Sequence, residues 1–165
     1  MNTSNGNATA TQEGNNNRVI QTQNGIQDNT VFAQQTGDDN IITQSQDGEN
    51  NNIFVDQLGN SSISTVEQTG TSNNVSAFQE GARNSLSVRQ NGNNNFAGGA
   101  NDVLLDQMGN DNTATLVQEG DENASAIMQV GSDNETINTQ TGNTNNSIMN
   151  QLGSRNSLRV TQSEN

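Results

Sequence analysis

The sequence predicts an all-β protein: a narrow β-solenoid of about seven 22-residue strand-turn-strand-turn coils, stacked into two parallel cross-β sheets. Three observations carry that expectation. A Gln with a Gly two residues later returns, almost always eleven residues on, from Gln12 to Gln151. Between turns, apolar and polar residues alternate with a period of two, as in a strand buried on one face. The charged residues all avoid the phase of that alternation assigned to the interior.

Composition alone argues otherwise. Of 165 residues, 27% are hydrophobic and 2% aromatic, and the net charge is -13. So little apolar side chain does not offset the entropy of ordering, and such a chain reads as disordered. One conventional core is out of reach. Yet there is no Pro, so strand is permitted everywhere, and a tandem period is the mark of a repeat architecture.

Each unit justifies its residues in order. The strand opens on Asn17, Asn29, Asn40, Asn51, Asn73, Asn84, Asn101, Asn112, Asn123, Asn134, Asn145 and Asn156, with Gly6 and Ser62 in the remaining units. Two alternate inward positions follow, mostly Val, Ala, Leu, Ile, Ser and Met. The strand closes on Gln12, Gln23, Gln35, Gln46, Gln57, Gln68, Gln79, Gln90, Gln107, Gln118, Gln129, Gln140, Gln151 and Gln162. Gly14, Gly25, Gly37, Gly48, Gly59, Gly70, Gly81, Gly92, Gly109, Gly120, Gly131, Gly142 and Gly153 then turn the chain, a job for a residue free to take positive φ. Glu164 stands where the last Gly is expected. Seven strand residues and four turn residues fill the unit.

The beat stretches twice, to twelve between Gln23 and Gln35 and to seventeen between Gln90 and Gln107. The second stretch is read as a loop insertion at 94–100, bulging from a turn. Residues 1–5 are a short tail, and 6–165 form one solenoid. Charge tests the register. A random register would place about a third of the charged residues inward, and an unpaired buried charge is too costly to keep; none falls there.

Pairs of units make coils, and stacking coils sets like on like. A side-chain amide has two donors and an acceptor, so a stacked Gln or Asn bonds to its copies above and below and is satisfied away from water. The first strand near Ala8–Gln12 and the last near Leu158–Gln162 are expected to expose unpaired backbone, with no capping pattern beside them. Growth end to end follows from such rims. One outer face carries an apolar stripe of Phe32, Phe54, Phe78, Leu104, Met128 and Ile148, suited to lateral pairing or surface adhesion. The opposite face is mostly Thr, Ser and charged residues, with Ile20, Val117 and Ile137 as exceptions.

Other functions have thinner support. Nucleic acid is a poor partner for an acidic chain with five scattered Arg. No apolar run approaches a membrane span. Without His, Cys, Lys or Tyr the usual bases and nucleophiles are missing, and neither an enzyme nor a cofactor is expected. The acidic turns Gly37-Asp38-Asp39-Asn40 and Gly120-Asp121-Glu122-Asn123 offer oxygens for Ca²⁺, or are simply solvated turns. A monomeric secreted solenoid binding Ca²⁺ or ice is the alternative, though the outward Thr9 and Thr11 are not continued in later coils.

The tandem Gln-x-Gly-x-x-Asn pattern, seen in "QEGARNSLSVRQ" (Gln79–Gln90) and "QEGDENASAIMQ" (Gln118–Gln129), resembles the curlin repeat of curli, the extracellular functional amyloid of bacterial biofilms. The resemblance spans about Gly6 to Gln162. It departs from the family in opening strands with Asn and in carrying the full motif in both halves of each coil. It implies a homopolymer that grows end to end, secretion to the bacterial cell surface, a nucleator subunit and secretion or chaperone machinery as partners, and a role in biofilm matrix and cell adhesion. No export segment is visible, so the chain reads as a mature form with a start Met.

Overall fold

A computed structural model of the chain describes residues 6–25, 27–97 and 105–164. The described chain is strand and turn throughout. One sheet stacks β1 (Asn7–Glu13), β3 (Thr30–Thr36), β5 (Asn52–Asn60), β7 (Asn74–Ala82), the interrupted pair β9 (Phe96–Ala97) and β10 (Leu105–Asn110), β12 (Ala124–Ser132) and β14 (Asn146–Ser154). The other stacks β2 (Arg18–Asn24), β4 (Ile41–Glu49), β6 (Ile63–Thr71), β8 (Ser85–Asn93), β11 (Thr113–Glu119), β13 (Glu135–Thr141) and β15 (Ser157–Ser163). Neighbouring strands are parallel and in register, Gln on Gln: Gln35 lies against Gln57, and Gln68 against Gln90. Successive strands alternate between the two sheets, with β9 and β10 sharing one rung, so the chain winds as a coil, one strand per sheet per half-turn. At about 4.8 Å per rung, seven rungs stand about 34 Å tall.

Inward positions form a thin core. Ile42, Ile53, Val55, Leu86, Leu105, Leu116 and Ile127 are buried between the sheets, flanked by buried Gln and Asn. No Asp, Glu or Arg is buried among the described residues. The accessible surface is 8000 Å², against about 7,900 Å² expected of a globular protein of this mass. The chain therefore folds as compactly as an ordinary domain; amides fill the interior where hydrocarbon would otherwise be.

The turns are more specific than the sequence suggests. Each Gly has positive φ, and in the four-residue turns so does the residue two further on, such as Asp39, Arg83 or Glu122, at 54–59°. The ladder also runs on through the Gly in many rungs, as where Gly59 pairs with Gly81, so those strands have nine residues rather than seven.

The described part of the expected insertion, residues 94–97, follows the regular turn and strand pattern. Asn94 takes the usual turn conformation, and Asn95 opens the strand. Phe96 and Ala97 pair with Asn74 and Val75 on one side and with Ala124 and Ser125 on the other. The rung resumes at Leu105, which pairs with Ala77 and Ile127. Residues 98–104, between these two paired pieces, lie outside the described residues. Pairing with two ready rungs places Phe96 and Ala97: "NGNN" repeats the turn, and the next residues zip onto neighbours already in place.

Candidate functional site

The surfaces that carry function in such a stack are its two rims and its two outer faces, and the side-chain rows set the character of both. In the first sheet, Nε2 of Gln12, Gln35, Gln57, Gln79, Gln107 and Gln129 donates to Oε1 of the next Gln at 2.7–3.0 Å, ending on Gln151. In the second, Gln23, Gln46, Gln68, Gln90, Gln118 and Gln140 do the same at 2.8–3.2 Å, ending on Gln162. Nε2 also reaches across to the facing sheet: Gln35 donates to the Arg18 carbonyl and Gln68 to the Asn52 carbonyl. With both donors and the acceptor engaged, burying the amide leaves nothing orphaned.

The Asn rows work differently from the expected stacking of like amides. Each bonds chiefly to backbone one coil on. Asn40 Nδ2 donates to the Gly59 carbonyl and its Oδ1 accepts from the Ser62 N–H. Asn17, Asn29, Asn51, Asn73, Asn84, Asn112, Asn123 and Asn134 likewise donate to the next coil's turn Gly, at 2.6–2.9 Å. Among the described residues, amide-to-amide bonds join these rows only in the C-terminal half, where Asn123, Asn134, Asn145 and Asn156 donate to Asn95, Asn112, Asn123 and Asn134. Asn95 holds the place in this row between Asn73 and Asn123. Asn101, expected at this place, lies outside the described residues.

All but the last two turn Gly back onto the Gly of the next coil. A Cβ at Gly14, Gly25, Gly37, Gly48, Gly59, Gly70, Gly81, Gly92, Gly109, Gly120 or Gly131 would overlap the carbonyl of the Gly one coil toward the C-terminal rim. At Gly142 it would meet Glu164, and at Gly153 nothing is closer than Asn156 Nδ2 at 3.6 Å.

A further row was not anticipated. The residue after Gly is often Asn or Asp, and its Oδ1 caps the backbone N–H one coil back: Asp38 accepts from Asn15, Asn60 from Asp38, Asn110 from Ala82, Asp121 from Asn93 and Asn143 from Asp121. Asn or Asp recurring beside the Gly was the signal available. The acidic turns are therefore built into the stack through Asp38 and Asp121, and among the described residues no cluster of candidate ligands could hold a metal ion. Thr9 and Thr11 are followed on the next rung by Phe32 and Gln34, which ends any flat Thr array.

The outer face of the first sheet is the more apolar one, but its stripe is two rows rather than one. Phe32 and Phe54 stack with ring centroids 5.0 Å apart, and the same row continues through Ser76, Ala126 and Ile148. Phe78 and Met128 belong to the neighbouring row, with Asp56 and Asp106 between and beside them. Leu104 lies outside the described residues. A third row, overlooked in the sequence, holds Leu58, Met108, Val130 and Leu152, one residue after the Gln. Period two continues past the Gln, so these side chains point outward with the others. Burial pushes the carboxyls of Asp56 and Asp106 above the ordinary Asp value, and Glu80 adds to the effect at Asp106. The second sheet's face carries Ile41 and Ile63 beside the expected Ile20, Val117 and Ile137, among Thr and Ser. It also has Arg18, Arg89 and Arg159.

Fixed residues that bond to their own copies from coil to coil define a class: a structural repeat protein, a parallel β-solenoid whose interior is amide as much as hydrocarbon. The curlin associated repeat matches residues 37–70 and 109–137. Those two stretches are similar to the curlin associated repeat, a repeat of structural rather than enzymatic proteins that is associated with extracellular curli fibres. The two matches flank the interrupted rung. No curated protein and no solved structure matches the chain. No described helix is long and apolar enough to cross a membrane.

Proposed function

We propose that the chain is the subunit of an extracellular curli-type amyloid fibre that supports biofilm matrix and adhesion, copies stacking head to tail along the coil axis. One observation carries this: the amide rows are polarised. Every Gln donates toward the rim formed by β14 and β15. There Gln151 and Gln162 keep an Nε2 proton with no Gln to receive it, donating only to the Glu135 and Asn146 carbonyls among the described residues. At the other rim, Oε1 of Gln12 and Gln23 accepts from no Gln. Donor rim and acceptor rim match when the β14–β15 rim of one copy meets the β1–β2 rim of the next, in the same register that joins coils within the chain. Two like rims would set donor against donor or acceptor against acceptor. A nucleator and secretion machinery are the partners the repeat family suggests.

The test uses Gly153. A Cβ there strains the last turn, at φ 105°, but clears the rest of the single chain; in the stack it would strike the next copy's turn at Gly14, as it would in the interior coils, so the variant is first shown to fold by far-UV circular dichroism. Mixed in at a few per cent, Gly153→Ala is expected to add to fibres through its free β1–β2 rim and then stop that end, so that electron micrographs show much shorter fibres. Gly153→Ala protein that elongates at the wild-type rate, or wild-type protein giving no fibres with a reflection near 4.8 Å, overturns the proposal.

A further inference from the structure

We propose that the outer face of the first sheet is the surface on which a second fibre of this same chain packs, like face to like face, and that Asp56 and Asp106 gate that packing by their charge. The proposal rests on the fibre described above.

The size fits. Seven rungs of about 4.8 Å by seven residues of about 3.3 Å give about 780 Å² per copy, close to the ~800 Å² per partner of a standard stable interface. The face is also matched to itself in period. In a fibre it returns once per copy, so a second fibre meets every patch with a patch, and weak contacts multiply along the length. A foreign partner has no such repeat.

The charges explain what holds the face apart. Asp56 on β5 is faced by Gln34 and Thr36 from β3 and by Phe78 and Glu80 from β7. Asp106 on β10 is faced by Phe78 and Glu80 from β7 and by Met128 and Val130 from β12. No Arg stands among these neighbours. One oxygen of Asp106, Oδ1, is already buried without a hydrogen-bond partner. Covering the face strips the remaining water from both carboxylates with no cation to replace it, which is too costly for the charged forms. Each carboxylate must first take up a proton from solvent. Burial already favours that step. At neutral pH the face repels its copy; on mild acidification the carboxyls become neutral and the apolar rows close on each other.

Fibres of the full chain are grown at neutral pH, then stepped to pH 4.5, with width read by electron microscopy and bundling by light scattering. The wild type is expected to be single at pH 7 and to double in width on acidification. Asp56→Asn with Asp106→Asn is expected to be paired already at pH 7. Asp39→Asn with Asp133→Asn removes the same charge from turn residues whose left-handed conformation Asn tolerates, and is expected to behave as wild type. Adding Phe54→Thr and Phe78→Thr to the first pair should return single fibres. The proposal is overturned if both Asn pairs bundle alike, if the face pair stays single at pH 7, or if the Thr changes leave bundling intact. Absence of fibres from the wild type overturns the assembly reading and this one together; wild-type fibres whose width ignores pH overturn this one alone.

Discussion

Replacing Gln68 with Met tests the amide ladder at its centre. Gln68 accepts from Gln46 at 3.0 Å and donates to Gln90 at 2.8 Å and to the Asn52 carbonyl at 3.1 Å. Met fills the same volume and makes none of these bonds. The buried Oε1 of Gln90 loses its donor from the ladder. Gln46 keeps its bond to the Thr30 carbonyl but loses its ladder acceptor. Each buried orphan costs about 1–3 kcal/mol, and the added apolar burial returns about 1 kcal/mol. Gln68→Met should therefore cost about 1–5 kcal/mol, or about 0.5–2.5 M in urea midpoint at roughly 2 kcal/mol per M, followed by far-UV circular dichroism. The ladder logic gives a sharper expectation for three consecutive replacements, Gln46→Met, Gln68→Met and Gln90→Met. A block of any length severs the row at only two ends, so the triple should cost far less than three times the single. A single change costing under about 0.5 kcal/mol, or a triple at three times the single or more, would refute the argument that stacking satisfies these amides.

Other changes probe other links. Gly92→Ala combines a strained φ of 129° with overlap on the Gly120 carbonyl, so it should abolish a cooperative urea transition, with a poorly formed β signal. Asn138 Oδ1 is buried without a partner while its Nδ2 holds Ser125 Oγ at 2.7 Å; Asn138→Leu with Ser125→Ala should raise the urea midpoint, by about 1 kcal/mol in stability, and a fall would count against it. Because burial raises the Asp56 and Asp106 carboxyls, the folded chain binds their protons up to a higher pH than the unfolded chain does. Their contribution is then greatest below the ordinary carboxylate range and declines as pH rises through the raised values. Asp56→Asn with Asp106→Asn should accordingly be more stable than wild type at pH 7 and equal to it near pH 4 in urea titrations; the reverse order would contradict the burial. Asp111 has the opposite sign, held low by the Arg83 guanidinium at 2.6 Å. Both groups are well exposed, so Asp111→Asn should leave the midpoint unmoved.

The period, the face each residue takes and the need for identical neighbours are all readable from one strand-and-turn unit and its repetition. A strand has a strict two-residue alternation, a Gly with positive φ marks each turn, and the same letters recur in every unit, so register was legible down to Gln35 and Gln57 as partners. What the sequence left open depends on contacts between rungs. Counting back from Gln107 selects Asn101, counting forward from Gly92 selects Asn95, and only the two neighbouring rungs choose Asn95. Phe54 and Phe78 read as one stripe along the chain, yet sit in adjacent rows because Phe78 pairs with Asp56. The direction in which the amides donate, the Asn bonds to the next turn's carbonyl and the Asp38-type caps are likewise invisible in one unit. Local sequence fixes where a side chain points; what it bonds to is set by the coil above and below, and that exists only in the folded stack.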